Sequence, residues 1–232
     1  MKRKKEFIIA IIILLVLVIY SSIEPKVLPV SGSYKENESY KMENIPDYNG
    51  SEYVIINNNK TNFTKDELNV KELEKYSDLD GLGRCGSAIA LVGTETMPNK
   101  KRESIGMIKP SGWHTIKYDG IDGKYLYNRC HLIGYQLTGE NANPKNLITC
   151  TRNMNAHTML IFENKVAEYV KNTKNHVLYR VTPIFENENL LASGVQIEAK
   201  SIEDKKIEFN VFIYNVQEGI EINYKNGESK LK

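Results

Sequence analysis

The sequence predicts an α+β fold with a central antiparallel sheet, and three observations support it. The 232 residues are 41% hydrophobic and 26% charged, the composition of a globular domain. Apolar residues recur at spacings of three and four between Asn153 and Lys171, the periodicity of an amphipathic helix. Strand-like runs precede and follow that helix, and two aromatic-rich runs flank the turn at 119–123, as in a hairpin.

The individual elements follow from local patterns. Thr64 and Glu67 form a capping-box pattern, which predicts a helix over residues 65–76. The hairpin-like unit at 105–133 puts His131 at or just after the end of its second strand. The remaining strands are predicted at 53–56, 87–92, 177–182, 190–197 and 207–216.

The N-terminus is distinct from this domain. Four basic residues at positions 2–5 precede an apolar stretch from Phe7 to Tyr20, so residues 1–23 are predicted to be a signal peptide or an N-terminal hydrophobic anchor helix. No clear Ala-x-Ala cleavage site is present, which slightly favours an anchor that contacts the membrane through residues 7–23. The domain would then lie on the extracellular side of the membrane, either anchored or secreted.

Composition also divides the rest of the chain. Residues 24–50 are polar and contain several prolines, which is typical of a spacer, residues 51–226 form the predicted domain, and 227–232 form a frayed tail. The net charge is +2, and residues 2–6 contribute +3 of it, which leaves about −1 for the remainder. Bulk charge therefore gives no argument for nucleic-acid binding. The local cluster Lys100, Lys101 and Arg102 is either a phosphate-binding site or a solvated loop.

Three cysteines permit one disulfide and one free thiol in an exported chain. We favour a pair between Cys85 and Cys130 because each lies in a strand-like run, although two neighbouring free thiols would give the same pattern. A zinc site made by Cys130, His131 and Cys150 is disfavoured. Adjacent residues of an extended strand face opposite ways, so the first two side chains would not converge on one ion.

Of the four histidines, only His131 is surrounded by other polar functional groups. Arg129 and His131 alternate along a predicted strand and so project to the same face. This pairing places a base beside a cation that could bind phosphate. Taken alone, the pair is weak evidence for a catalytic site, because a histidine with a purely structural role gives the same pattern.

The run from Asn128 to Tyr135 resembles the Asp-Arg-Gly-His signature of the DNA/RNA non-specific endonucleases, which have a ββα-metal (His-Me finger) active site. The resemblance continues through 143–149, Asn155, 162–164 and 179–182, and covers roughly residues 50–220. Asn128 stands where the signature has Asp, and Cys130 where it has Gly. Loss of the carboxylate affects how the strand is held in place. The residues at the positions of the base and the metal ligand are unchanged.

The resemblance implies the following roles. His131 would be the general base, and a neutral imidazole with a pKa near 6.5 can take a proton from water. Asn155 would be the direct protein ligand of Mg²⁺, with Mn²⁺ as a possible substitute, and Glu163 would hold metal-bound water. Asn146 would support the hydrogen-bond network. Arg129 and Arg180 would neutralise the phosphate.

The function implied by the resemblance is hydrolysis of phosphodiester bonds in DNA and RNA without sequence preference, since contacts to backbone phosphates carry no base information. One alternative is a membrane-anchored nucleic-acid-binding protein, for example in DNA uptake, that has lost catalysis through the changes at Asn128 and Cys130. Another is a secreted toxin nuclease, although the sequence shows no additional secretion domain. No protein partner can be inferred.

Overall fold

A six-stranded antiparallel sheet forms the centre of the computed structural model, which describes residues 45–232. Its strand order is β1-β8-β7-β6-β3-β2. Two further pairs, β4 with β5 and β9 with β10, lie outside this sheet. The strands are β1 Tyr53–Ile55, β2 Glu74–Tyr76, β3 Ala88–Val92, β4 Tyr127–His131, β5 Leu147–Thr151, β6 Val177–Ile184, β7 Gly194–Ser201, β8 Glu208–Tyr214, β9 Ile220–Ile222 and β10 Ser229–Leu231.

Within residues 45–232, three α-helices accompany the strands: α1 Lys65–Leu68, α2 Tyr135–Thr138 and α3 Met159–Thr173. Short 3₁₀ turns occur at Asn57–Asn59 and Pro144–Asn146, and a π-helical segment, Met154–Thr158, leads directly into α3. This arrangement confirms the predicted α+β class with a central antiparallel sheet.

The two faces of the large sheet bury different partners. Tyr179 and Val181 of β6 face a core that contains the apolar side of α3 and the inner side of the β4–β5 pair. Leu178, which alternates with them, faces the opposite way and packs near Phe63 and Leu68. Residues of β6 therefore lie on the same side as α3 or on the far side according to their parity.

The strands β4 and β5 run antiparallel, with Cys130 opposite Ile148 and His131 opposite Leu147. Residues 132–146 connect them, and the chain then enters the π-helical segment and α3. His131 is the last residue of β4, which confirms the predicted position. The helical segment begins after Thr151, which pairs with Tyr127 at the end of the two strands opposite His131. Further along, α3 brings the Glu163 carboxyl against Gly134, three residues after His131.

Two local predictions were wrong. The capping box forms, since Thr64 and Glu67 exchange hydrogen bonds, but the helix ends at Leu68 and residues 74–76 pair with β3. The aromatic-rich hairpin at 105–133 is reduced to a single bridge between Lys117 and Tyr125, because the second run pairs with β5. In both places pairing with the next strand along the chain prevailed over the local pattern.

The domain is longer than the sequence indicated. Ile45 is buried against Val54 and Phe212, and the Pro46 carbonyl accepts a hydrogen bond of 2.6 Å from the Tyr214 hydroxyl, so residues 45 and 46 of the predicted spacer pack against the domain. The predicted frayed tail contains β10, which pairs with β9. Residues 1–44, with the predicted anchor, lie outside the described part. Within residues 45–232, no helix has the length and apolar character needed to span a bilayer.

The disulfide joins Cys130 to Cys150, so the predicted pair of Cys85 with Cys130 was wrong. Cys130 and Cys150 are diagonal neighbours across β4 and β5, with Cα atoms 5.9 Å apart, which is within the range a disulfide needs. The Cys85 thiol is buried and donates to the carbonyls of Pro144 and Leu147, and burial raises its pKa to about 11. It is therefore an unreactive thiol with partners of its own.

We expect titration of thiols in denaturant without reductant to detect one thiol per chain, that of Cys85. The link closes a loop between residues 20 apart, so reduction should lower the free energy of unfolding by about 3 kcal/mol in urea titrations. Cys85→Ala is the matched control. It should remove the thiol that is titrated in denaturant, and the stability of the variant should still fall when reductant is added. Three titratable thiols in the parent chain would contradict the pairing.

Candidate active site

His131 is held as a neutral imidazole with a defined proton position. The ring is only 6% exposed, its Nδ1 lies 3.2 Å from Nη2 of Arg102, and its Nε2 lies 2.7 Å from the carbonyl oxygen of Asn141. A guanidinium can only donate, so Nδ1 accepts and the proton is on Nε2, which donates to Asn141. Burial, with the Arg102 charge adding to it, lowers the pKa of His131 to about 4. The ring therefore carries a basic lone pair on Nδ1 at neutral pH.

Asn146 fixes the chain immediately after His131. Its side-chain amide donates to the Ile133 carbonyl at 3.0 Å and accepts from the Ile133 backbone N–H at 2.9 Å, and the residue is fully buried. Its own carbonyl accepts from the Leu132 N–H. Both polar ends of the side chain are occupied by backbone groups, so Asn146 positions the strand end and does not reach a substrate.

Arg129 lies on the same face of β4 as His131 and is restrained on several sides. Its Nη2 donates to the Gly106 carbonyl at 2.8 Å, its Nε donates to Ile108, and its guanidinium stacks on the Trp113 ring at 3.9 Å. Burial lowers the pKa of Arg129, although a guanidinium remains charged at any physiological pH. The side chain is a fixed cation at the wall of a cleft.

That cleft has a volume of about 440 Å³ and a basic, aromatic lining. Asn155 contributes from the π-helical segment, a backbone irregularity that often occurs at functional sites. Within residues 45–232 the Asn155 side chain makes no hydrogen bond, so its amide is available to a ligand. The lining residues are Arg102, Ile105, Trp113, Thr115, Tyr125, Tyr127, Asn128, Arg129, Arg152 and Asn155.

Glu163 adds a carboxyl group whose charged form is disfavoured. Burial raises the pKa of Glu163 to about 7, and the Gln136 amide at 3.4 Å and the Arg102 charge only partly offset this effect. Gly134 leaves the space that the carboxylate fills, because a Cβ there would collide with it. Arg102 thus interacts with both His131 and Glu163, and it also lines the cleft that contains Asn155.

Two other predicted site groups lie elsewhere. Arg180 has the same parity as Leu178, on the sheet face opposite α3, and pairs with Glu198 at 2.8 Å and Glu67 at 3.0 Å. It is therefore placed to stabilise the sheet and does not line the cleft, so its contact with phosphate stays a prediction. In the basic cluster only the Arg102 side chain lines the cleft, while the Lys100 carbonyl accepts a hydrogen bond from the Tyr135 hydroxyl.

The residues present fit a hydrated divalent cation. Among residues 45–232 no group of three His, Cys, Asp or Glu side chains could hold a metal ion. An ion that keeps most of its water needs few protein ligands, and the unpartnered Asn155 amide can supply one oxygen. A cation beside Glu163 would also favour the ionised form of this carboxyl, which burial disfavours by raising its pKa to about 7.

Sequence reasoning missed several residues of the site. Arg152 lines the cleft, and its position three residues before Asn155 was a signal that could have revealed it. Asn141 orients the imidazole through its backbone carbonyl, which no side-chain pattern can indicate. Gln136 and Trp113 contact Glu163 and Arg129, respectively, across distances in sequence that only the fold defines.

Comparison with known proteins identifies a family and several proteins that are similar to this chain. The family model of the DNA/RNA non-specific endonucleases matches residues 61–203. A deoxyribonuclease of Streptococcus dysgalactiae subsp. equisimilis is 33% identical over 108 residues, which is 44% of this chain and 32% of that protein. The match thus spans about a third of the length of that relative.

Two solved structures share the fold at similar identity. NucA from Streptococcus agalactiae with magnesium ion bound is 29% identical, with a TM-score of 0.69 over 77% of this chain and 87% of that chain. Sda1 nuclease with bound zinc ion is 28% identical, with a TM-score of 0.59 over 69% and 81% of the two chains. The family match covers more than half of the chain and contains the whole cleft, so the protein belongs to the DNA/RNA non-specific endonucleases, a family of hydrolases.

Proposed function

We propose that the protein is an exported, metal-dependent endonuclease that hydrolyses phosphodiester bonds of DNA and RNA without sequence preference, with His131 as the general base. The observation that carries the proposal is the fixed tautomer of His131. Its protonated Nε2 is bound to Asn141, so its basic Nδ1 is directed toward Arg102, which lines the cleft with Arg129 and Asn155.

The base acts at Nδ1. When water or substrate replaces the Arg102 contact, Nδ1 takes one proton from the attacking water, whose oxygen bonds to phosphorus. The P–O3′ bond then breaks, the leaving 3′ oxygen takes a proton from solvent water to become a hydroxyl, and the other product keeps a 5′-phosphate. The lowered pKa of His131 keeps the ring unprotonated before this step across the neutral range. Asn141 and Asn146 act as positioning groups, because they fix the ring and the chain that follows it.

Arg129 neutralises negative charge as it develops on the phosphate. Arg129 is restrained by Trp113 and backbone carbonyls, so little reorganisation is needed when the transition state forms. Asn155 would hold a divalent cation, with Glu163 oriented toward its bound water. That ion, Mg²⁺ or alternatively Mn²⁺, would supply further positive charge to the phosphate and the leaving oxygen.

Residues 1–44 lie outside the described structure, but two features support export. The basic cluster and apolar stretch at residues 2–20 have the pattern of a signal or membrane anchor. A disulfide between Cys130 and Cys150 suits an oxidising compartment. The proposed location is the extracellular side of the membrane, with the chain anchored or released.

His131→Ala should lower kcat for plasmid cleavage by at least about a hundredfold, because the attacking water loses its base. The assay uses the full-length chain in mild detergent with Mg²⁺, and a chelator should abolish cleavage by the parent. His114→Ala, which changes an exposed histidine outside the cleft, serves as the control and should retain activity. Plasmid and RNA that stay intact with the parent chain would favour the non-catalytic binding protein.

Glu163→Gln should stabilise the metal-free protein at pH 8 while it lowers activity. The folded-state pKa near 7 lies above the usual value near 4.3, so the stabilisation by the protonated carboxyl is present at low pH and is lost as the pH rises through about 7. Because Glu163 remains partly accessible, we expect a gain of only about 1 to 2 kcal/mol at pH 8, and none near pH 4.

The measurement is urea unfolding in chelator at both pH values. Glu168→Gln, an exposed change on the same helix, is the matched control and should leave stability unchanged at both. A loss of stability in Glu163→Gln at pH 8 would show that the ionised carboxylate is well accommodated, contrary to this assignment.

Arg180→Ala should reduce stability without a comparable loss of kcat. The change leaves Glu198, which is 2% exposed, without its cation, and removal of one partner of a buried pair costs about 3 kcal/mol. At temperatures where the variant stays folded, kcat should remain within about twofold of the parent. A hundredfold fall in kcat with unchanged stability would instead assign Arg180 to the chemistry.

A further inference from the structure

We propose that Arg152 binds the phosphate next to the scissile one, and that Asp122 holds its guanidinium until that phosphate displaces it. The inference rests on the function proposed above and adds a second phosphate subsite to it. Its basis is the placement of Arg152 in the cleft, the nature of its contacts and the chemistry of the surrounding walls.

Arg152 and Asn155 are presented to the same cleft by one short segment. Arg152 follows β5 directly, and its backbone N–H donates to the Leu126 carbonyl at 2.7 Å, which fixes the start of the helical turn. Side chains three residues apart on a helix lie about 5–6 Å apart at Cβ. This separation suits two groups that contact successive phosphates of one strand.

The contacts of Arg152 are exchangeable, unlike those of Arg129. Its Nε and Nη2 both donate to Oδ2 of Asp122, at 3.2 and 2.8 Å, and that carboxylate is largely exposed. Within residues 45–232, Nη1 has no hydrogen-bond partner. Exposed ion pairs of this kind contribute little net stability. A phosphate can therefore take the place of Asp122 and engage the guanidinium fork.

The walls of the cleft indicate which anion it accepts. Three arginines line it and no carboxylate does, among the residues that the structure describes. Aromatic rings from Trp113, Tyr125 and Tyr127 complete the lining, and Tyr125 is 45% exposed. Arginines interleaved with aromatic rings suit a polyanion that carries flat bases, which means a nucleic-acid strand.

The test measures binding of a fluorescent DNA duplex to the full-length chain in chelator, over a series of salt concentrations. Arg152→Ala should weaken binding about five- to tenfold and reduce the slope of log affinity against log salt by about 1. Arg152→Lys should keep the slope, because it keeps the charge, and lose part of the affinity. In Mg²⁺ the loss should appear in the KM for DNA more than in kcat, because the subsite binds a phosphate that does not react.

Asp122→Asn gives the opposite sign and provides the sharper test. Removal of the competing carboxylate should tighten DNA binding at least about twofold more than the control Asp78→Asn does. That control makes the same change of charge and frees Lys145, which does not line the cleft. A purely structural pair would give no such gain. Because this variant keeps Arg152, it also decides the matter if Arg152→Ala fails to fold.

The outcomes separate this proposal from the previous one. If the parent chain cleaves DNA, but Arg152→Ala keeps its affinity and salt slope, or Asp122→Asn binds no tighter than Asp78→Asn, the subsite is wrong and the nuclease function stands. If the parent neither binds nor cleaves DNA, the proposed function fails and the subsite fails with it.

Discussion

The hydrogen bonds between the Asn146 side chain and the backbone of Ile133 are the constraint on which the site depends. They tie the end of β4 to the start of β5 across a connection of fifteen residues, 132–146. Loop residues can then approach His131 from one side while the strand holds it from the other. Without this clamp neither the Asn141 carbonyl nor the imidazole would have a fixed position relative to the helix.

The site combines groups that would each be unfavourable in isolation. A buried imidazole, a carboxyl with a raised pKa and a half-buried guanidinium all lose hydration, and hydrogen bonds partly offset each loss. The partners are the Asn141 carbonyl for His131, the Gln136 amide for Glu163 and the Gly106 carbonyl for Arg129. Arg102 is the common neighbour of the imidazole and the carboxyl. Such conflicts between local stability and arrangement are expected where a protein carries out chemistry.

The sequence was most informative where the signal is periodic. The long helix and the strands around it were predicted from local residue patterns. His131 was singled out because it alone of the four histidines is surrounded by polar functional groups, and the family resemblance then implied its role. Prediction failed at short strands that are defined only by their pairing: residues 74–76 join β3, and residues 229–231 pair with the preceding strand β9. The position of Arg180 could not be predicted, because a sequence does not reveal which face of a sheet an arginine occupies. Nor does it reveal that Glu198 pairs with this arginine on that face.

The cysteines illustrate the same limit and carry a consequence of their own. Both Cys130 and Cys150 are fully buried in the core beneath the cleft, and the former is the immediate neighbour of His131. Proteins open locally and transiently, and a short strand pair such as β4 with β5 can separate in such an event if no covalent link joins it. The disulfide between Cys130 and Cys150 keeps β4 and β5 in register during such local opening. The geometry around the imidazole can thus persist even when the periphery of the domain loosens.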